Sequence, residues 1–284
     1  ADGNRDWVTL RNYRDDNGLN ADINIRTHDI ATIGLWGPKA ANALGNFIDP
    51  NDIDIKNFPF VTAKNLTLNL SGEKKVDVWA ARISYVGESG WEIYFNNDKD
   101  DGLALYDSLL EVGVIPVGIE TYANSRRLEK CFRLQGADLE TEYNAIEAAI
   151  QRPLVKEADF HGKFAHLAHR KEDPCAILCT MTLDNLNVSG KTRYPVGISP
   201  IIDPATGEVP IDSKGRRSYT TGMSYCPSIK KFVVMGYLPK QIAFKGKSLL
   251  IEYFNEDGDG LYPMTVQIVG KGSLYDPTNE RVRA

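Results

Sequence analysis

A change of hydrophobic rhythm near Glu172-Asp-Pro174 is the feature that most constrains this chain. Before it, apolar residues recur at both helical and strand spacing. Pro38 stands at a helix start, with Ala40, Ala41, Ala43, Leu44 and Phe47 following at helical intervals. Residues 98–112 predict an amphipathic helix whose apolar side is Leu103, Leu105, Leu109 and Leu110 and which stops near Gly113. Residues 119–132 read as a second helix and 145–150 as part of a third, while 28–37, 61–70 and 76–85 read as strands. After residue 172 only short strand-like runs remain, at 175–183, 232–238, 248–254 and 262–269. Turn-rich segments such as Pro204-Ala-Thr-Gly and Asp257-Gly-Asp-Gly separate them. The expectation is an α+β region followed by a C-terminal antiparallel β domain.

Composition closes off several alternatives. A chain of 284 residues, 42% hydrophobic and 25% charged, has room for one large domain or two medium ones with a core of their own. Its longest apolar stretches, 198–202 and 232–235, fall far short of the ~20 residues a membrane span requires. The first residues are polar and show no secretory signal core. The net charge is −5 and no basic cluster stands out, so a nucleic-acid partner is not expected. Cys131, Cys175, Cys179 and Cys226 form no Cys-x-x-Cys pair, which argues against zinc and for a reduced, intracellular setting. Without a secretion signal, the sequons at Asn65, Asn69 and Asn187 read as chance matches. His161, His166 and His169 lack the spacing of a one-face ligand set and suit an exposed helix after Gly162. Asn255-Glu-Asp-Gly-Asp-Gly260 imitates the front of a calcium loop, but the twelfth position is Val266, so a turn is the reading and no metal is expected.

The run Arg82-Ile-Ser-Tyr-Val-Gly-Glu-Ser-Gly-Trp-Glu92 reads as a hairpin with Glu88-Ser89 as its loop. That register sets Tyr85 opposite Glu92 and Ile83 opposite Tyr94 on one face, with Arg82, Ser84, Trp91 and Ile93 on the other. A phenol beside a carboxylate suits an aminopyrimidinone ring. The ring's two adjacent N–H donors can share one carboxylate, while an aromatic side chain covers the ring or bonds its polar edge. An exposed hairpin with an incidental Tyr–Glu pair remains the other reading of these residues.

The same run resembles the pterin-binding signature of the aminomethyltransferase (glycine-cleavage T-protein) superfamily. Four further blocks are similar to that family in the same order. They are Gly34-Leu-Trp-Gly-Pro38, Ser125-Arg-Arg-Leu-Glu-Lys130 with Gly136-Ala-Asp138, Ala158-Asp-Phe-His-Gly-Lys163, and Leu274-Tyr-Asp-Pro-Thr-Asn-Glu-Arg-Val-Arg-Ala284. The last resembles the ending of the branch that holds dimethylglycine oxidase and the dimethylglycine and sarcosine dehydrogenases.

The resemblance implies an incomplete T-protein-like folate-binding domain over 28–171, preceded by a remnant of an N-terminal segment at 1–27 and followed by a β-barrel domain at 172–284. It implies tetrahydrofolate contacts at Tyr85 and Glu92, and at Tyr225, where the family brings its C-terminal β domain over the folate cleft. Glu88 is assigned to the loop and Trp91 to the core. Ala123 stands where T-proteins carry a folate-binding arginine, and Arg127 is expected to pair with a buried acid such as Glu129 or with backbone. The family's catalytic aspartate has no counterpart in Asp6, Asp15, Asp16 or Asp22, so the catalytic group is unassigned and expected outside this chain. The implied reaction passes the methylene carbon of an iminium, made by flavin oxidation of a methylated amine, to tetrahydrofolate. FAD is expected only in an upstream domain or partner chain, since no Gly-x-Gly-x-x-Gly occurs here. A folate-dependent O- or S-demethylase, or a non-catalytic docking subunit of a larger flavin enzyme, are the alternatives. The expected location is the cytoplasm, or the mitochondrial matrix in a eukaryote.

Overall fold

A computed structural model describes residues 3–97, 100–152, 154–184, 197–255 and 258–284. The sequon at Asn187 and the turn residue Asp257 lie outside the described residues. The chain forms two compact units. One comprises Ala1–Ser84, Glu88–Pro116 and Arg281–Ala284, and the other Tyr85–Gly87 and Val117–Glu280.

The first unit is built on a four-stranded antiparallel sheet of order β1-β4-β3-β2, with β1 at Ile30–Trp36, β2 at Ala63–Asn69, β3 at Lys75–Ala81 and β4 at Gly90–Asn96. Period-two alternation sorts its side chains. Leu66 and Leu68 of β2, Val76, Val78 and Ala80 of β3, and Trp91, Ile93 and Phe95 of β4 are buried in one hydrophobic cluster. Helices α2 (Ala40–Leu44) and α4 (Asp101–Glu111) add Leu44, Leu105 and Leu109 to that cluster. Leu103 and Leu110 of α4 are 64% and 38% exposed, so the apolar side is narrower than expected. Leu105 and Leu109, one turn apart, form the buried row. Short α3 (Pro50–Ile53) starts at Asp49, whose carboxylate accepts from the Asn51 N–H. Helix α1 (Gly3–Asp16) escapes a sequence reading because it carries no apolar stripe, and it has no buried residue.

The second unit carries a six-stranded antiparallel sheet of order β6-β9-β10-β5-β8-β7. Its strands are β5 (Ala176–Leu183), β6 (Ile201–Ile202), β7 (Thr220–Cys226), β8 (Lys231–Pro239), β9 (Ser248–Asn255) and β10 (Gly258–Val269). The sheet curls until its two edges meet. Ile198 N donates to Thr220 O (2.6 Å), Thr220 N to Ser199 O (2.9 Å) and Ile201 N to Ser218 O (3.2 Å). This is the antiparallel barrel-like domain expected at the C-terminus, with its edge groups paired.

Strand β7, Thr-Thr-Gly-Met-Ser-Tyr-Cys, gives no apolar run in the sequence, because its buried polar side chains are matched one by one. The Thr220 hydroxyl accepts from Ser199 N, Thr221 donates to Asp138 and Ser224 donates to Glu120. Residues 117–172, grouped by sequence with the N-terminal domain, fall in this second compact unit. They include a π-helical turn at Thr121–Arg126 that runs into α5 (Arg127–Glu129), and α6 (Lys163–His169). Residues 145–150 form turns rather than a helix, because the Asn144 side-chain oxygen accepts from both Ile146 N (2.9 Å) and Glu147 N (3.0 Å). No helix among the described residues is long and apolar enough to cross a membrane.

Candidate functional site

The signature run does not form the expected tight hairpin. Pairing between β3 and β4 ends with Ala81 opposite Glu92 and Trp79 opposite Tyr94, so residues 82–89 are a connecting loop. The chain turns at Arg82. Ile83 N donates to Ala81 O (3.0 Å), a γ-type turn, and the Ile83 carbonyl is taken by Trp36 Nε1 at 2.9 Å. The Arg82 guanidinium is buried, donating to the carbonyls of Ile53 (3.0 Å), Phe58 (2.9 Å) and Ala284 (2.7 Å) and lying over the Trp91 ring. Continued pairing to Tyr85 would pull this side chain out of its carbonyl cage. The slip from Tyr85 to Ala81 is four positions. Being even, it leaves each β4 side chain on its predicted face. Trp91 is in the core, fully buried, and Glu92 and Tyr94 share the opposite face.

Two glycines of the run have identifiable reasons. Gly87 has φ 79°, and a Cβ there would meet Lys130 Cγ at 2.4 Å. Gly90 has φ 155°, and a Cβ there would lie 2.0 Å from Leu35 O, across the β1–β4 pair.

Glu92 stands in the first unit at the end of the sheet's open face. Tyr94 donates its hydroxyl to one Glu92 oxygen, and the Tyr94 ring packs against Trp79 with centroids 5.0 Å apart. Among the described residues the other Glu92 oxygen accepts nothing. The site thus offers an oriented carboxylate with one oxygen available to an N–H donor. Glu88 is buried in the loop, with Arg281 3.8 Å away.

Tyr85 belongs to the second unit. Its hydroxyl donates to Arg133 O (2.9 Å), and its ring stacks on Phe132 (5.9 Å, 15°) and leans on Tyr122 (5.4 Å, 51°). Burial pushes the phenol up to about 12, with the nearby Arg127 charge opposing, so it stays protonated at neutral pH. The three rings make an aromatic shelf rather than an acid–base group.

Tyr225, the third residue expected to touch folate, is on β7. It lines a cavity of about 620 Å³ with Glu120, Asn124, Arg127, Met223 and Ser224. That size lies in the ligand-binding range. Arg127 pairs with a buried acid, but the acid is Asp138 rather than Glu129. Arg127 also donates to Ala123 O (2.9 Å) and Phe132 O (3.2 Å), while Glu129 pairs with Arg126 at 2.6 Å. Position 129 follows 127 too closely along the helix to face it, whereas the chain returns Asp138 to the guanidinium after the turn at Gly136. The cavity residues Glu120, Asn124 and Ser224 belong to no motif. Their one sequence signal is that they flank segments already singled out, the helix at 119–132 and Tyr225.

Known proteins match these elements. The family model described as the GCVT N-terminal domain matches residues 1–157. Mitochondrial dimethylglycine dehydrogenase of Homo sapiens is 29% identical over 281 residues, 94% of this chain and 28% of that protein. Aminomethyltransferase of Symbiobacterium thermophilum is 29% identical over 242 residues, 83% of this chain and 58% of its own length. This chain therefore spans only part of either relative. The crystal structure of glycine cleavage system aminomethyltransferase T from Bartonella henselae shares the fold, with a TM-score of 0.63 at 21% identity over 84% of this chain and 58% of that one. The family model covers more than half of the residues, and the motif order and the fold agree with it: the chain belongs to the GCVT, or aminomethyltransferase, superfamily.

Proposed function

We propose that this chain is the tetrahydrofolate-binding module of a one-carbon transferase that accepts a methylene group from an oxidised methylated amine of the dimethylglycine or sarcosine type. The observation that carries the reading is Glu92, a carboxylate held by Tyr94 with one oxygen open to donors on the exposed sheet face. A pterin edge offers two adjacent N–H donors to such a group. Within the second unit, the near-parallel rings of Tyr85 and Phe132 offer aromatic surface, and Tyr225 lines a ligand-sized cavity.

Tetrahydrofolate would supply the nitrogen that accepts the carbon. The residues of this chain bind and orient it. Glu92 would fix the in-plane rotation of the pterin, a positioning effect. Tyr85 is not the proton acceptor in this scheme, since its phenol stays protonated and already donates to Arg133 O. Oxidation of the amine is assigned to a flavin-bearing domain or partner. The similarity to dimethylglycine dehydrogenase over 94% of the chain favours this donor class.

Calorimetric titration with tetrahydrofolate tests the reading. Glu92→Ala should weaken binding by about tenfold or more, the scale of one lost charge-assisted hydrogen bond. Unchanged affinity in that variant contradicts it.

A further inference from the structure

The open face of the first sheet carries an exposed aromatic side chain beside Glu92, and the strand register fixes its place. Trp79 of β3 pairs with Tyr94 of β4, and the next pair on the same face is Ala81 with Glu92. Trp79 is therefore the diagonal neighbour of Glu92, a separation that an aromatic side chain can span. Tyr94 joins the two: its hydroxyl donates to Glu92, and its ring packs on Trp79 with centroids 5.0 Å apart and a tilt of 54°. Ala81, the direct partner of Glu92, is small and buried, so Trp79 is the large side chain next to Glu92 on β3.

The β1 side of Glu92 is already taken. Gly34 pairs with Glu92, and a Cβ there would meet Trp36 Cη2 at 2.1 Å, so the Trp36 ring covers Gly34. The Trp36 indole N–H is tied to the Ile83 carbonyl, which holds that ring in place. A flat ligand on the Glu92 carboxylate is thereby directed to the β3 side. There Trp79 is 47% exposed, although tryptophan is highly buried on average. It stands in a groove of about 740 Å³ that Tyr94, Asn65, Thr67 and Asp77 also line. An exposed aromatic rimmed by polar side chains marks a ligand-facing surface.

We propose that Trp79 stacks on the pterin that Glu92 anchors. The inference rests on the folate-dependent reading above. It adds a second ligand contact within the same unit: the carboxylate takes the edge of the ring and the indole takes its face.

Calorimetric titration of the intact chain tests it with two probes, tetrahydrofolate and methyltetrahydropterin, a bare pterin without the aminobenzoylglutamate tail. Trp79→Leu should weaken both by about fivefold, the scale of one aromatic stacking contact, and Trp79→Phe should keep most of the affinity. Ring contact should also quench Trp79 fluorescence. Ligand-induced quenching should therefore fall in Trp79→Phe but not in Trp7→Phe, which alters α1 instead. A loss transmitted only through Tyr94 and its hold on Glu92 would vanish in a Tyr94→Phe background, whereas the stacking loss should persist there. Unchanged affinity in Trp79→Leu, equal quenching in the two phenylalanine variants, or a loss that vanishes with Tyr94→Phe overturns the contact. Binding of tetrahydrofolate that depends on Glu92 and not on Trp79 refutes this inference alone, and no binding by the unaltered chain refutes the reading beneath it.

Discussion

The two units keep themselves folded by different means. In the first, Leu44, Phe58, Leu68, Trp91, Ile93 and Leu105 join one hydrophobic cluster, and Arg82, Glu88 and Ser108 are the buried polar residues among those described. The second divides its apolar side chains between two clusters, one around Met181, Val234 and Met264 and one around Leu128, Leu178 and Tyr237. Through this unit run buried charge pairs: Arg127 with Asp138, Arg126 with Glu129, Lys130 with Asp276, and Arg216 with both Glu147 and Asp212. A close-packed apolar core is sensitive to lost volume. Buried pairs add little net stability, since desolvation opposes attraction, yet each is expensive to break from one side. The contrast shows that directed polar groups are concentrated in the second unit, and that one of them, Arg127, stands in the wall of the cavity that Tyr225 lines.

Breaking the Arg127–Asp138 pair should expose the contrast most strongly. Asp138 also accepts from Thr221 and from Leu134 N (2.8 Å), so Asp138→Ala strands three donors and should cost about 3–5 kcal/mol in urea unfolding. Replacing both partners with apolar residues, Arg127→Met with Asp138→Leu, should recover only part of that loss, because the Thr221 hydroxyl and Leu134 N stay without their acceptor. In the first unit, Leu105→Ala removes a fully buried side chain from α4 and should cost about 3 kcal/mol by the same assay, through the cavity it leaves.

The next effect is pH dependence, and it belongs to the second unit. Burial alone would raise the carboxyls of Glu147 and Asp212, but the hydrogen bonds and charge of Arg216 hold both below their ordinary values. The Lys247 ammonium holds Asp203 down in the same way. Depressed folded-state values mean stability that is fully present above the unfolded carboxyl range, about pH 4, and is lost as pH falls through the folded values. Acid unfolding should therefore show a steep limb below about pH 4, shallower in Arg216→Gln. The smallest effect is expected at the surface: Lys74 and Asp101 lie 3.1 Å apart and partly exposed, and Lys74→Ala should change stability by about 0.5 kcal/mol or less.

What the sequence revealed follows the same division. Strand alternation in β2, β3 and β4, and the α4 helix, were legible because a half-buried sheet face and an amphipathic helix write their periods directly into the apolar residues. Strands β5, β8, β9 and β10 were legible as short apolar runs. Strand β7 was not, because Thr221 and Ser224 are buried against specific partners, Asp138 and Glu120, that local pattern cannot supply. The hairpin register failed for a related reason. The loop at 82–89 is set by the distant carbonyls of Ile53, Phe58 and Ala284 that Arg82 binds, not by its own turn residues. Glu92 and Trp91 kept their faces because face follows parity, which survives an even slip. The Arg127 partner was misplaced because Glu129 is near in sequence and Asp138 near in space.

In the proposed function Glu92, by its charge and position, anchors a pterin. Asp77 is a carboxylate on the same open sheet face, held by the Thr67 hydroxyl at 2.6 Å, and serves as its control. Tetrahydrofolate affinity measured side by side for Glu92→Gln and Asp77→Asn tests the claim most directly. Affinity should fall by about tenfold in the first and stay unchanged in the second, because only the first removes an acceptor that the ligand uses. Equal losses, or none in Glu92→Gln, would contradict it.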